Sequence, residues 1–286
     1  MFAFAIAAIG FAVLMAFVVR LLRLEVRREI PRTTSLALTA GFVGLMLIGW
    51  WVLTRGAQIE DRLVAPLILP SPSEVLAAFP QLHFEQALVR SIVVSFGRVT
   101  GGFFLAVVVA LPLGVYMATF PAVSAFFRPL ALIGAYVPIV VFVPLTLVWF
   151  GMTETQKVVF LFIGCFVALL PLVIKAISDV PSAYVDVAAT KGATQWQIVH
   201  SVLFPVAQAD IWDHMRGVYG VGWGWIILAE VVNAEKGLGY LISVSERRGH
   251  TASMFAVIIV IVAIAVACDQ LWRWGGTLLF PYRRKD

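Results

Sequence analysis

The chain is predicted to be an all-α polytopic membrane protein, and three observations carry that prediction. Of 286 residues, 61% are hydrophobic and only 13% charged, with a mean hydropathy of +0.96; a soluble core could not hide so much apolar surface. Apolar runs of bilayer-spanning length recur along the chain. Between two of them lies one long polar to amphipathic stretch, residues 178–208, where a short turn would have sufficed. The net charge of +5 is spread over loops and ends rather than gathered into a stripe. It therefore argues against a nucleic-acid surface and for loops facing an anionic cytoplasmic leaflet.

Residues 2–22 are apolar apart from Arg20, and Arg20, Arg23, Arg27, Arg28 and Arg32 follow rather than precede the run. A secretory signal has the opposite polarity, so an uncleaved helix with its N-terminus outside is expected. Residues 36–54 form a second span ending in Trp50 and Trp51. The acidic loop 55–85 suits the outer side. Within it, Leu69–Phe79 reads as a turn and a short helix started by Ser71 or Ser73, with Pro70 and Pro72 preventing continuation from upstream. Residues 88–118 are long for an upright span, so tilt or a break is expected, with a kink at Pro112 and a close helix approach at Gly97 and Gly101.

Residues 127–150, interrupted by Pro138 and Pro144, are expected to face protein or a cavity rather than lipid. Residues 157–177 follow a short turn. Residues 212–232 carry small residues at Gly217, Gly220 and Gly224, flanked by Trp223 and Trp225. A polar loop over 233–251 and a last span over 252–274 complete seven crossings. Counted from outside, they put the arginine cluster, the central stretch and the basic tail on one cytoplasmic side.

The central stretch reads as helix, turn, helix lying against the membrane. Pro181 is placed in a first helical turn with Ser178 or Asp179 as cap, and Pro205 is a stop. Gly192 supplies the turn between the halves. Trp196, Val199 and Leu203 recur on one face, beside Ile198 and Val202, while Gln195, Gln197, His200 and Ser201 point elsewhere.

The order Asp186, Val187, Ala188, then Gly192, then Val202, Phe204 and Pro205 resembles the EAA loop of permease subunits in bacterial ABC importers. Asp186 stands in place of the usual Glu and Val187 in place of the first Ala. Further stretches are similar to the nitrate, sulfonate, taurine and bicarbonate branch. They are the segment around Leu69, Arg128-Pro129-Leu130, Val137-Pro138 through Val148-Trp149-Phe150-Gly151, and Gly237-Leu238-Gly239-Tyr240-Leu241-Ile242.

The resemblance implies a six-helix core of the type I importer kind, with the first helix as an addition. Residues 1–32 would be that helix and its basic linker, 33–87 the first core helix and periplasmic loop, and 88–286 the core. It further implies two ATPase subunits holding ATP and Mg²⁺, a second permease in a homodimer, and a periplasmic or lipid-anchored binding protein. The setting would be the bacterial inner membrane, with a small, anionic solute of the nitrate, sulfonate, taurine or bicarbonate class. Contact with the ATPase would fall on Asp186, Val187, Ala188, Lys191, Gly192, Ala193, Thr194, Gln195, Trp196 and Pro205, and Trp223 and Glu230 would lie on the pore-lining helix.

The residues themselves place no reaction on this chain. Lys191 and Lys236 precede rather than follow their glycines, so no phosphate-cradling loop is present. His83, His200, His214 and His250 are dispersed without metal-ligand spacing. Cys165 and Cys268 sit in apolar runs as small hydrophobes. No serine occupies a nucleophile elbow, and no cofactor is expected. Glu230 and Asp269 are carboxylates set within predicted spans, where insertion deep in the bilayer costs about 2.5–3.5 kcal/mol each. Arg273 is one turn from Asp269 and can pair with it. A bare carboxylate would repel an anionic solute, so Glu230 suits a structural or gating role. An ion-gradient transporter using Glu230 and Asp269 is the alternative, followed by a membrane-embedded enzyme.

Overall fold

The computed structural model describes residues 30–56 and 58–283; the expected helix over 2–22, its arginines up to Arg28 and the last three residues of the tail lie outside them. The described residues form two compact units, one ending at Leu53 and one beginning at Thr54. The first unit holds α1, Arg32–Thr54, except for its last residue; the helix is apolar on all sides after its first turn.

The second unit begins with α2, Pro72–Phe84. Ser71 starts it through a capping box: its hydroxyl accepts from the Glu74 N–H, and the Glu74 carboxylate accepts from the Ser71 N–H at 2.8 Å. Partial burial works against ionisation of Glu74, but the Ser71 bonds and the Arg62 guanidinium at 2.9 Å outweigh it and hold the carboxyl below its ordinary range.

Next, α3 (Leu88–Thr119) runs unbroken through Pro112 for 32 residues, about 48 Å at helical rise. It packs along α6, Glu154–Ser178. The close approach comes from Gly102, Ala106, Ala110 and Gly114, four small residues one turn apart on one buried face. A Cβ on Gly102 would stand 2.5 Å from the Leu161 Cβ, and one on Gly114 would stand 2.7 Å from a Val173 methyl. The expected pair Gly97 and Gly101 is not the contact: nothing approaches Gly97, and Gly101 meets one methyl at 3.9 Å. The stripe is one residue out of step with the GxxxG pattern.

Between α3 and α6 the predicted span 127–150 divides into α4 (Pro121–Tyr136), a 3-10 turn at Ile139–Val141 and α5 (Phe142–Phe150). The break falls at Val137, where Pro138 disfavours helical backbone in the residue before it. Pro144 is tolerated because it lies in the first turn of α5.

After α6 come α7 (Ser182–Thr190) and the single turn α8 (Gln195–Ile198). A π-helical turn at Val199–Leu203 then leads into α9, Phe204–Asn233. Two expectations are corrected here. Pro181 is itself the residue before α7 and has no side-chain cap. Pro205 does not stop a helix; it sits in the first turn of α9, where its missing N–H costs little. The expected loop 233–251 contains α10, Leu238–Arg247, an amphipathic helix too short and polar to register as a span. The chain closes with α11, Thr251–Leu279.

Four described helices are long and apolar enough to cross a bilayer: α1, α3, α6 and α11. α9 matches them in length but is more polar. Cys165 and Cys268 are buried free thiols, and among the described residues no cluster could hold a metal ion.

Candidate functional site: an exposed helical turn and a buried ion pair

α6 and α9 each connect two polar regions, one at either end. The first is the segment from Ser182 to Pro205, at the C-terminal end of α6 and the N-terminal end of α9.

α7 has no buried residue. Its C-terminus closes with the Ala193 N–H on the Ala188 carbonyl at 3.1 Å and the Gly192 N–H on the Ala189 carbonyl at 2.9 Å. That pairing demands a left-handed residue, and Gly192 supplies it at φ +82°. Two residues later a second capping box opens α8: Thr194 accepts from the Gln197 N–H, and the Gln197 side chain accepts from the Thr194 N–H at 2.8 Å. The turn is thus fixed from both sides within three residues.

Ile198, Val199 and Leu203 are buried and anchor the segment. Trp196 is not on that face, contrary to the helical-periodicity reading. The wider π-helical turn rotates the register, leaving Trp196 57% exposed; its ring stacks on Tyr116 of α3 at 6.0 Å and lies 4.3 Å from His200. Asp186, Val187, Lys191, Gly192, Thr194 and Gln195 are exposed, and Ala188, Ala193 and Pro205 are half-buried. Tyr184, Val187 and Trp196 therefore present large apolar surface on a short polar segment, a combination that marks a contact surface.

The second region, at the opposite end, was not foreseen as a unit. Arg98 of α3 is buried and binds two carboxylates. Its Nε and Nη2 donate to both oxygens of Glu154 at 2.6 and 2.5 Å, and Nη1 donates to Glu230 at 2.7 Å and to the Lys236 carbonyl at 2.8 Å. The Glu230 side chain is wholly buried, whereas Glu154 is 68% exposed. Ser95 donates to Glu230 at 2.8 Å and accepts from the Leu238 N–H at 2.9 Å, and the Gly239 N–H donates to Glu230 at 2.8 Å. Leu238 and Gly239 are the first residues of α10, so the helix end directs N–H groups and its positive pole at the carboxylate.

Glycine is required there. A Cβ on Gly237, which has φ +121°, would stand 2.5 Å from the Glu230 carboxylate, and one on Gly239 would stand 2.6 Å from the Glu230 Cβ. The Gly-Leu-Gly segment is a lid shaped to one side chain, and the network ties α3, α6, α9 and α10 together. Both oxygens of the buried carboxylate accept hydrogen bonds, from Arg98, Ser95 and Gly239, which is what allows it to remain in an apolar interior.

Trp223 is also buried, 6.0 Å from Phe96, so both residues expected on the pore-lining helix are enclosed within this chain. Gly217, Gly220 and Gly224 meet nothing within 4 Å. Asp269 pairs with Arg273 at 2.9 Å, as their spacing expects, and with Arg216 at 3.4 Å. Near the start of α9, Arg283 binds Asp213 at 2.9 Å and also Asp210.

Comparisons with known proteins agree with this arrangement. The taurine transport system permease protein TauC of Escherichia coli is 28% identical over 240 residues, covering 82% of this chain and 86% of that one. The bicarbonate transport system permease protein CmpB of Synechococcus elongatus is 23% identical over 241 residues, again covering 82% and 86%. Among solved structures, the MetNI methionine ABC transporter in an inward facing conformation matches with a TM-score of 0.59 at 22% identity, over 72% of this chain and 99% of that one. That likeness speaks to the all-α permease fold. Residues 110–274 match the family of binding-protein-dependent transport system inner membrane components. That match covers more than half of the sequence, from the later part of α3 into α11, and includes the whole Ser182–Pro205 segment, so the chain belongs to this family and is a multi-pass permease component of an ABC importer.

Proposed function

We propose that this permease carries a small solute of the taurine, sulfonate or bicarbonate class, driven by a separate ATPase that grips the segment from Ser182 to Pro205. The observation that carries the proposal is the turn at Gly192. It is stiffened by two helix caps, exposed, edged by Tyr184, Val187 and Trp196, and continuous through the π-helical turn with α9. A handle of this kind transmits force because it cannot fold up on its own. The substrate class is supported by the relatives that transport taurine and bicarbonate.

In this mechanism two ATPase subunits bind ATP and Mg²⁺ and close, pulling the contact set from Asp186 to Trp196. α6 and α9 carry the displacement to the outer end, and hydrolysis resets it. A second copy of the permease completes the pore, and a binding protein delivers the solute from outside, where the N-terminus also lies. The ATPase moves the pore only because it binds the two positions of the segment unequally. The buried ion pair keeps the outer ends of α3, α6, α9 and α10 moving as one body. Ion-gradient coupling through Glu230 and Asp269 loses its ground, since each carboxylate is already held by an arginine.

The test is Gly192→Val in the reconstituted importer. A β-branched residue at that φ costs about 1–3 kcal/mol of strain, so the turn should change shape while the rest of the chain folds. Solute uptake is expected to collapse with the melting temperature in detergent within a few degrees of wild type. Normal ATP-driven uptake in this variant would contradict the reading.

A further inference from the structure

The first turns of α9 and the last turns of α11 border a cavity of about 220 Å³ that the proposed function does not use. It lies at the end of α9 that continues into the Ser182–Pro205 segment. Trp212 forms part of its wall and is held in place: its indole N–H donates to the Trp272 carbonyl at 3.0 Å, and a Cβ on Gly275 or Gly276 would stand 3.0 Å from the ring.

Three arginines, Arg216, Arg273 and Arg283, and one aspartate, Asp213, also line the cavity, a surplus of two positive charges. Shared carboxylates draw the arginines together. Asp269 lies 2.9 Å from Arg273 and 3.4 Å from Arg216, while Asp213 lies 2.9 Å from Arg283 and 4.0 Å from Arg216; Arg283 also binds Asp210. Asp269 and Asp210 do not line the cavity. Arg216, in the middle of the row, makes ion pairs but no hydrogen bond among the described residues, so its five N–H groups are unspent. Arg273 uses Nε and Nη2 on Asp269 and keeps Nη1.

A surplus of guanidinium donors calls for an oxyanion, and the surroundings say which kind. α11 is long and apolar enough to cross a bilayer. Near its end Leu271, Trp274 and Leu278, at three- and four-residue spacing, form an exposed apolar stripe close in sequence to Arg273. Exposed Trp274 and Tyr282 there fit an interfacial belt. A free anion has no use for such a stripe, whereas acyl chains do. Asp213 also disfavours a doubly charged free phosphate more than a singly charged phosphodiester. We infer that this cavity binds the headgroup phosphate of an anionic phospholipid, with Arg216, Arg273 and Arg283 on the phosphate oxygens and the acyl chains along Leu271, Trp274 and Leu278. Guanidinium forks match phosphate oxygens, and the cationic surplus favours an anionic headgroup over a zwitterionic one. The bound lipid ties the start of α9 to the end of α11. The assignment depends on neither the solute nor the ATPase.

The test reconstitutes the full importer in nanodiscs of equal phosphatidylglycerol and phosphatidylcholine, extracts it into mild detergent and counts the retained lipids by native mass spectrometry. Phosphatidylglycerol is expected to be retained about tenfold over phosphatidylcholine, and Arg216→Gln should remove most of that preference, a charge-assisted bond being worth about tenfold or more. Folding is not at stake, since Asp269 keeps Arg273 and Asp213 keeps Arg283; an unchanged melting midpoint verifies this. Arg247→Gln, at the end of α10, should leave the preference intact. Equal retention of the two lipids, a wild-type preference in Arg216→Gln, or loss of the preference in both variants overturns the inference. Displacement of phosphatidylglycerol by inorganic phosphate would assign the cavity to a free anion and overturn the lipid claim as well.

Discussion

The two ends of α6 and α9 handle polarity in opposite ways. At one end, α7 and α8 leave Asp186, Lys191 and Gln195 exposed and rely on local caps around Gly192. At the other, Arg98, Ser95 and Glu230 are buried and bonded across sequence separations of more than 130 residues. The contact end keeps its polar groups available to another chain, whereas the buried end consumes its own. The lever proposed above would need that asymmetry: one end offered to a motor, the other fixed so that motion is not lost within the bundle.

Substitutions can break this contrast, and the largest effect belongs to the buried end. Arg98→Met leaves Glu230 without its cation and should destabilise the chain by about 3–5 kcal/mol, read as a lowered unfolding midpoint in detergent. Asp186→Asn at the exposed end should shift it by less than about 0.5 kcal/mol. Equal effects would erase the distinction. Gly102→Val forces a side chain into Leu161 and the Val158 carbonyl; a loss of about 1–3 kcal/mol is expected, against little change for the same substitution at Gly97. Thr194→Ala removes a cap worth about 1 kcal/mol. Hydrogen exchange should quicken at residues 195–199 and not at α10.

The smallest effect concerns pH. The carboxyl of Glu74 is held below its ordinary range by Ser71 and Arg62, so its contribution to α2 is complete above the unfolded-state value and fades as pH falls through the folded-state value. Exchange at the first turn of α2 should rise on acidification from about pH 6 to about pH 3, and Glu74→Gln should flatten that dependence.

Much of the fold was legible because its signals are local. Length and hydropathy located α1, α3, α6 and α11, Pro70, Pro72 and the choice of Ser71 or Ser73 announced α2, and Gly192 announced the turn. The helix, turn, helix form of the segment from Ser182 to Pro205 was legible for the same reason, its spacing being contained within twenty residues. Trp196 was misplaced because a π-helical turn shifts the face by a fraction of a turn that a 3.6-residue period cannot anticipate. The ion pair was hidden by distance: Glu230 stood out in its span, but its partner lies 132 positions earlier. A signal did exist. Ser91, Ser95 and Arg98 continue the small-residue face of Gly102, Ala106 and Ala110, so an arginine on that face required a buried carboxylate. The helix α10 escaped notice because its purpose, presenting two N–H groups to Glu230, is visible only once the carboxylate is in place.

The most direct test of the lever is a cross-link from Gln195→Cys, since Cys165 and Cys268 are buried and the new thiol would be the accessible one among the described residues. In membranes holding the assembled importer, a short bifunctional reagent should join it to the ATPase subunit, with a yield that changes when ATP is trapped, and an impermeant maleimide added from outside should leave it unlabelled. Labelling from outside, or no ATPase adduct in any nucleotide state, would contradict the account.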